Sequence, residues 1–253
     1  MATQSAGGNL AIQRLVARNP QLSVNADGAL QSGVNLDVTL NNLALLQPGF
    51  AGPARVSGTV RQPQAGGNYA VDLAATAPGG TRAQVSGTAA ADFSITDLRV
   101  SGVSDAALAN PLIRTRSIEG PISFDIAMRG PPGLDAISGN VSLNGGRVSE
   151  PKLGLTLEAL NVRADLQNGR INVEGSGNVE AGGSLRVSGP VDLRNGTVDI
   201  GIVLDNIVLR DPNLYETRVS GNLSFAGVQA DGPLISGRID ISEAELRIPS
   251  TEL

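Results

Sequence analysis

Apolar and polar residues alternate with a period of two along much of this chain, and that alternation limits the folds open to it. In the segment VDIGIVLD, residues 198–205, an aliphatic residue occupies every second position from Val198 to Leu204. A period of two sends successive side chains to opposite faces of an extended backbone. The pattern therefore predicts a β-strand with one apolar face and one largely polar face.

The same alternation continues through the strands predicted downstream, as in Val219 to Phe225 and Ile239 to Ile248. Their apolar residues would form a continuous aliphatic surface, which we take as the candidate lining of a groove. The candidate groove residues are Leu193, Val198, Ile200, Ile202, Leu204, Val219, Leu223, Phe225, Ile239, Ile241, Leu246 and Ile248.

Three Asn-Gly pairs, at residues 144–145, 168–169 and 195–196, predict two-residue hairpin turns between neighbouring strands. Each turn would place two apolar residues opposite each other on one face. The predicted pairs are Val141 with Val148, Leu166 with Ile171, and Leu193 with Val198.

Strand signals recur about every 8–12 residues, which predicts on the order of 20 strands. The weak pattern from Leu10 to Val16 is also interpreted as a strand. Short helical turns are predicted at residues 43–48 and 104–111, each closed by a proline. An apolar-Ser-Gly triplet occurs seven times, as at Val187-Ser188-Gly189, without a fixed period. Such repetition is typical of a quasi-one-dimensional stack of strands.

Composition excludes several classes of function. The chain has no His and no Cys, which removes imidazole and thiolate chemistry. Carboxylate pairs such as Glu243 and Glu245 are interpreted as a solvated outer face. Aromatic residues are 2% of the chain and the net charge is −5, so a nucleic-acid surface is not expected. We predict no catalytic site, no metal site and no cofactor.

Two arrangements could cover the aliphatic face. In a sandwich, a second sheet covers it. In an open, curled half-pipe, the face lines a groove, and walls of Val, Ile and Leu without rings suit acyl chains. We predict the second arrangement, an elongated all-β sheet that is antiparallel or mixed. The alternative is a structural or adhesive β-repeat protein with a closed sandwich or solenoid core and no lipid cargo.

Ordered motifs in the second half of the chain resemble the C-terminal conserved domain of the TamB family. They are ALANPL at 107–112, ISGNV at 137–141, GGRVSEPKLGL at 145–155, GSLRVSG at 183–189, residues 214–221, GRIDI at 237–241 and RIP at 247–249. The resemblance covers residues 100–249 and is looser before that.

The resemblance implies an AsmA-like bridge protein that crosses the periplasm of Gram-negative bacteria from an inner-membrane anchor. It implies a curled sheet called a β-taco, and roles in phospholipid transport and in outer-membrane protein assembly and secretion. The implied partners are lipid tails and a TamA-like outer-membrane barrel, the latter reached through a segment that is not in this chain.

The chain is accordingly expected to be a fragment of a larger protein, with no transmembrane segment in this part. We predict an N-terminal β-repeat segment at residues 1–103 and part of the TamB-like C-terminal domain at residues 104–253. The two parts are expected to form one continuous sheet.

Overall fold

Seventeen β-strands make up most of the structure, a computed structural model that describes residues 2–4, 10–46, 49–113, 116–211, 215–228 and 232–246. The strands, in chain order, are β1 Ala2–Gln4, β2 Leu10–Arg18, β3 Leu22–Ala29, β4 Gly33–Leu40, β5 Ala54–Arg61, β6 Tyr69–Ala77, β7 Thr81–Ala89, β8 Thr96–Asp105, β9 Ser117–Glu119, β10 Pro121–Gly130, β11 Ile137–Glu150, β12 Leu155–Gln167, β13 Arg170–Val179, β14 Ser184–Asp192, β15 Thr197–Asp211, β16 Tyr215–Val228 and β17 Leu234–Leu246.

All the strands belong to one antiparallel sheet that does not close on itself. The predicted all-β, open sheet is therefore confirmed, and so is the strand predicted from Leu10 to Val16. The elongated form stays a prediction. So does the predicted boundary between residues 103 and 104.

Short 3₁₀ helices interrupt the strands at Leu43–Leu45, Ala106–Leu112, Leu134–Ala136 and Pro151–Leu153. The first lies within the turn predicted at residues 43–48, of which residues 47 and 48 are outside the described chain. The second overlaps the turn predicted at residues 104–111 but includes Pro111 and ends one residue later. Asn42 begins the first helix, because its side chain accepts a hydrogen bond of 3.1 Å from the Ala44 amide. Asp105 caps the Ala107 amide in the same way, at 2.8 Å.

The backbone contacts divide the chain into two compact units, residues 1–111 with 123–139, and residues 112–122 with 140–253. In the first, strands β2 to β8 pair successively with their neighbours. Its rows of facing residues are apolar on one side, as in Val24 with Val38 and Val38 with Val56.

In the second unit, strands β12 to β17 pair successively in the same antiparallel manner. Strand β9 pairs with the end of β11, where Ile118 faces Val148. Arg116 forms an ion pair with Glu150, a buried carboxylate at the start of the Pro151–Leu153 helix. This pair connects the chain before β9 to the end of β11.

The Asn168-Gly169 hairpin forms as predicted. Leu166 faces Ile171, and Asn168 and Gly169 have φ angles of +50° and +68°. A type I′ turn needs positive φ at both central residues, and asparagine and glycine adopt it most readily. The sequence therefore determined this turn locally.

The predicted pairing of Leu193 with Val198 is wrong. Val198 faces Val191 instead, and Asp192 faces Thr197, so Leu193 lies in a four-residue loop with 40% of its surface exposed. The cause is the Asp192 carboxylate, which accepts a hydrogen bond of 2.9 Å from the Arg194 amide. That bond starts the loop one residue before the predicted turn pair.

The predicted turn at Asn144-Gly145 is also wrong, because β11 runs through both residues without reversing. Val148 pairs with Ile118 of β9 rather than with Val141. The side chain of Asn161 on β12 accepts a hydrogen bond of 3.0 Å from the Gly145 amide. A partner from another strand therefore satisfies the backbone group that a local turn would have used.

The apolar-Ser-Gly repeat marks places where neighbouring backbones approach closely. Gly189 has a φ of +150°, and a Cβ atom there would collide with the carbonyl oxygen of Asp199 on β15. The glycine of each of the seven repeats likewise faces a carbonyl oxygen of an adjacent strand, too close for a Cβ. Only glycine fits such positions, and glycine kinks of this kind bend strands in curved sheets.

We expect Gly189→Ala to lower the free energy of unfolding by about 1–3 kcal/mol, because the substitution combines a collision with an unfavourable φ. Gly201→Ala is the matched control on the facing strand. Its Cβ would contact Ser188 O at 3.6 Å, an ordinary van der Waals distance, so it should change stability by no more than about 1 kcal/mol. Urea denaturation of both variants measures the difference. Equal effects would show that the repeat is not a steric requirement.

Candidate functional site

A continuous apolar surface runs across β12 to β17 in the second unit. Residues that face each other in an antiparallel pair project to the same side. Val187 faces Ile202, and Ile202 faces Leu223, so one apolar row crosses three strands. We call this side of the six strands the apolar face. Its paired members are Val162, Ala164, Leu166, Ile171, Val173, Gly175, Gly177, Leu185, Val187, Gly189, Val191, Val198, Ile200, Ile202, Leu204, Ile207, Val219, Gly221, Leu223, Phe225, Gly227, Ile235, Gly237, Ile239 and Ile241.

The paired positions named above hold no charged residue, but the same side continues to Asp211, which faces Tyr215 at the end of β15. The opposite side of the same strands carries ion pairs. Arg163 donates two hydrogen bonds to Asp165, at 2.6 and 2.7 Å. Arg238 donates one to Asp240, at 2.9 Å. The unit therefore has one face suited to apolar ligands and one suited to water.

The apolar face is partly open to solvent. Ile202 and Leu223 are half-buried by their neighbours, while Ile239 and Ile241 on β17 are 51% and 67% exposed. Within the described ranges, no large side chain is completely buried. The open sheet does not agree with the alternative of a closed sandwich or solenoid core.

Most of the candidate groove residues lie on the apolar face. Val198, Ile200, Ile202 and Leu204 project from β15, Val219, Leu223 and Phe225 from β16, and Ile239 and Ile241 from β17. Leu193 is the exception, since it lies in the loop between β14 and β15. Leu246 ends β17, but its side chain is outside the described part, and Ile248 lies beyond the described residues altogether. The role of these residues in binding stays a prediction.

A β-bulge in β15 adds residues that the sequence analysis missed. Leu204 faces Gly221 and Ile207 faces Val219, so three steps on β15 match two on β16. Asn206, with a φ of +48°, occupies the bulge, and its amide donates to the hydroxyl of Ser220 at 3.0 Å. Without this extra residue, Ile207 would project to the polar face.

None of the candidate groove residues belongs to β12, β13 or β14, although the same alternation of apolar and polar residues is present in these strands. Leu166, Ile171 and Val191 form one row, and Val191 faces Val198. The period-two pattern was present in each strand. What it could not supply was the register that joins the strands into one face.

A cavity of about 700 Å³ lies on the polar side of the second unit. Arg163, Glu174, Ser176, Arg186 and Ser188 are among the residues that line it. Val162, Gly175 and Val187, which belong to the apolar face, also line it, so the lining of this concave region is mixed. The part of the chain that the structure describes contains no group of three or more acidic side chains placed to hold a metal ion.

Two guanidinium groups converge on the Asp192 carboxylate in the loop between β14 and β15. Arg170 Nε donates to Asp192 Oδ2 at 3.1 Å, and Arg194 Nη2 donates to the same oxygen at 2.9 Å. The hydrogen bonds from the Arg194 side chain and amide, followed by the one from Arg170, hold the pKa of Asp192 far below its ordinary value. The carboxylate thus stays charged throughout the physiological range.

Residues 172–252 match the family model for the TamB C-terminal domain. This match supports TamB-family membership. It covers about a third of the chain and contains β14 to β17, the strands with most of the candidate groove residues. The resemblance seen in the sequence is confirmed there, while the motifs between residues 100 and 171 lie outside the match. Neither the comparison with curated proteins nor that with solved structures finds a match.

The TamB family consists of bacterial envelope bridge proteins that act in transport and assembly, and it is not known for enzymatic activity. Among the described residues, no helix is long and apolar enough to span a membrane.

Acid should lower the stability of the second unit. The pKa of Asp192 is lowered by its arginine partners, so the stability that this carboxylate contributes is complete above the unfolded value near 3.8. It is lost as pH falls through the lower folded-state pKa. We expect the melting temperature to drop between pH 5 and pH 2, by roughly a few degrees per kcal/mol lost. Asp192→Asn should melt lower at pH 7 and lose less on acidification. Parallel pH profiles for the two proteins would contradict this account.

Proposed function

We propose that the apolar face of the second unit shelters lipid acyl chains, and that this chain is a section of a periplasm-spanning envelope bridge. The observation that carries the proposal is the series of apolar rows across β12 to β17, which meets no charged residue before Asp211 at the end of β15. The TamB match over residues 172–252 supports an envelope role for the same strands.

The energetics favour a cargo of this kind. Each methylene group removed from water contributes about 0.8 kcal/mol, so a tail of about 16 methylenes gains ~12 kcal/mol when fully sheltered. Half-buried residues such as Ile202 and Leu223 have surface left to cover. Each residue of the apolar face contributes a small part of this free energy. A tail can therefore slide along the face without meeting a deep local minimum of free energy.

The full-length protein would place this section in the periplasm of a Gram-negative bacterium, held by an inner-membrane anchor. Phospholipid is the proposed cargo. A TamA-like outer-membrane barrel is the proposed protein partner, contacted through a segment outside this chain.

A nascent outer-membrane β-strand is the second candidate cargo, and the state of β17 favours it. The described side chains of β17 are exposed on both faces, among them Leu234 at 75% and Ile235 at 69%. Exposed apolar side chains of this kind can be covered by the apolar side chains of an amphipathic strand. Cargo of this class would compete with lipid for the β17 end of the apolar face.

We expect Ile202→Asp to abolish lipid binding while the protein stays folded. A carboxylate among sliding tails would have to lose its water, which costs several kcal/mol. Because Ile202 is only half-buried, the carboxylate can still reach solvent in the unliganded protein. Native mass spectrometry of protein purified from cells, scored for co-purified phospholipid, measures binding. Circular dichroism and thermal melting measure folding.

Val203→Asp is the matched control, because Val203 is the next residue on β15 and projects to the polar face with 37% exposure. It should retain the bound lipid, and so should the conservative variant Ile202→Val. A folded Ile202→Asp protein that still carries phospholipid would rule out this strand as part of the conduit. Gross unfolding of Ile202→Asp alone would instead indicate a closed core.

A further inference from the structure

The three Asn-Gly pairs of the chain differ in how the fold holds the glycine that follows each asparagine. An asparagine before glycine is open to loss of its side-chain amide, because glycine has no Cβ to hinder attack by its own backbone nitrogen. All three asparagines, at positions 144, 168 and 195, are exposed. Exposure of the asparagine therefore does not distinguish the pairs, whereas the surroundings of the glycine do.

The reaction is a ring closure between the two neighbouring residues. The glycine amide nitrogen loses its proton and forms a bond to the asparagine Cγ. The bond between Cγ and Nδ2 then breaks, and the departing nitrogen takes up a proton from water and leaves as ammonia. A water molecule opens the resulting succinimide, at Cγ to give aspartate or at the main-chain carbonyl carbon to give isoaspartate. The attack is favoured by a free glycine amide and by a hydrogen-bond donor on the oxygen that gains negative charge.

The first pair is protected by a hydrogen bond. The Gly145 amide donates to the Asn161 side chain at 3.0 Å, and residues 144 and 145 lie inside β11. Attack on Asn144 would first have to break this bond. Loss of one hydrogen bond corresponds to about tenfold in rate, so Asn144 should react slowly.

The second pair is protected by packing. Gly169 is buried, and a Cβ atom built on it would lie 3.0 Å from Cγ of Arg194. The Gly169 carbonyl oxygen also accepts a hydrogen bond of 2.8 Å from the Leu193 amide. Ring closure has to rotate the peptide group between Asn168 and Gly169, and these contacts oppose that rotation.

The third pair has neither form of protection. The Gly196 amide has no hydrogen-bond partner in the part of the chain that the structure describes, and the residue is only partly buried. Asn195 Oδ1 accepts a hydrogen bond of 2.9 Å from the Thr197 amide. This bond holds the side-chain amide beside the loop backbone. It also supplies a donor to the oxygen on which negative charge develops during the attack.

We propose that Asn195 is a site of spontaneous deamidation in the folded protein, whereas the fold protects Asn144 and Asn168. The conversion adds a carboxylate to the loop that already contains Asp192 next to its arginine partners. The isoaspartate product also lengthens the main chain by one methylene group, so the Thr197 amide loses the geometry of its present bond. This proposal does not depend on lipid binding.

The test measures the rate at all three pairs in one sample. The 253-residue chain is incubated at mildly alkaline pH, because the attacking amide must lose its proton. Mass spectrometry of tryptic peptides separates the pairs, since arginines lie between them. We expect Asn195 to react about tenfold faster than Asn144 and Asn168. A sample digested without incubation corrects for deamidation during digestion.

Unfolding the chain in urea is the control for sequence effects. The three pairs share the same dipeptide, so their rates should become similar once the fold is lost. Similar rates at the three pairs in the folded chain would overturn the proposal. A lead of Asn195 that persists unchanged in urea would overturn it too, because the fold would then have no part in the selection.

Two substitutions test the two forms of protection. Asn161→Ala frees the Gly145 amide and should raise the rate at Asn144 about tenfold, with no change at Asn195. Arg194→Ala uncovers Gly169 and should raise the rate at Asn168. An unchanged rate at Asn144 or Asn168 in the corresponding folded variant would refute the protection assigned to that pair.

Asn195→Gln is the matched control for the reactive residue. It should remove the fast reaction, because a glutamine side chain would have to close a larger ring. Circular dichroism and thermal melting verify that each variant is folded. If a variant does not fold, the comparison of the folded and urea-unfolded chain without substitutions still decides the matter.

Discussion

Pairing between antiparallel strands is the constraint on which the structure depends. It forces facing residues to the same side, so a period of two in each strand becomes an apolar face and a polar face across the whole set. The row of Val187, Ile202 and Leu223 exists only because two registers agree, that of β14 with β15 and that of β15 with β16. A slip of one residue in β15 would reverse every side chain beyond it. The bulge at Asn206 uses this property to keep Ile207 on the apolar face.

The scarcity of aromatic rings affects both the stability of the sheet and the ligands that its apolar face suits. Val, Ile and Leu cover one another only partly in a single layer, so stability comes from many partial burials along the rows rather than from a central cluster. Ile202 and Leu223 remain half-buried as a result. The surface that stabilises the fold is therefore also the surface that an apolar ligand can complete. In a closed sandwich, the two roles would exclude each other.

Three Asn-Gly pairs show how far sequence can predict such a fold. At 168–169 both residues adopt positive φ, and the turn forms from local preference alone. At 195–196 the Asp192 carboxylate starts the loop earlier, and at 144–145 the Asn161 side chain from another strand satisfies the Gly145 amide. The alternation located the strands and most of the candidate face. Register also depends on partners that are distant in sequence, and for that reason Ile207 was missed. Leu193 was misplaced because of the local hydrogen bond from the Arg194 amide to Asp192.

Apart from Asp192 and its two arginine partners, the charged groups of the second unit contribute less to the stability of the fold than to the difference between its two sides. Exposed ion pairs such as Arg163–Asp165 and Arg238–Asp240 contribute little to the free energy of unfolding, because solvent screens them. They do make it costly for an apolar partner to approach that side, since the charged groups would lose their water. Because this cost disfavours apolar partners on the polar side, we expect them to associate with the sheet through the apolar face. An open layer with two aliphatic sides would aggregate, whereas a layer with one such side can hold a cargo and remain soluble around it.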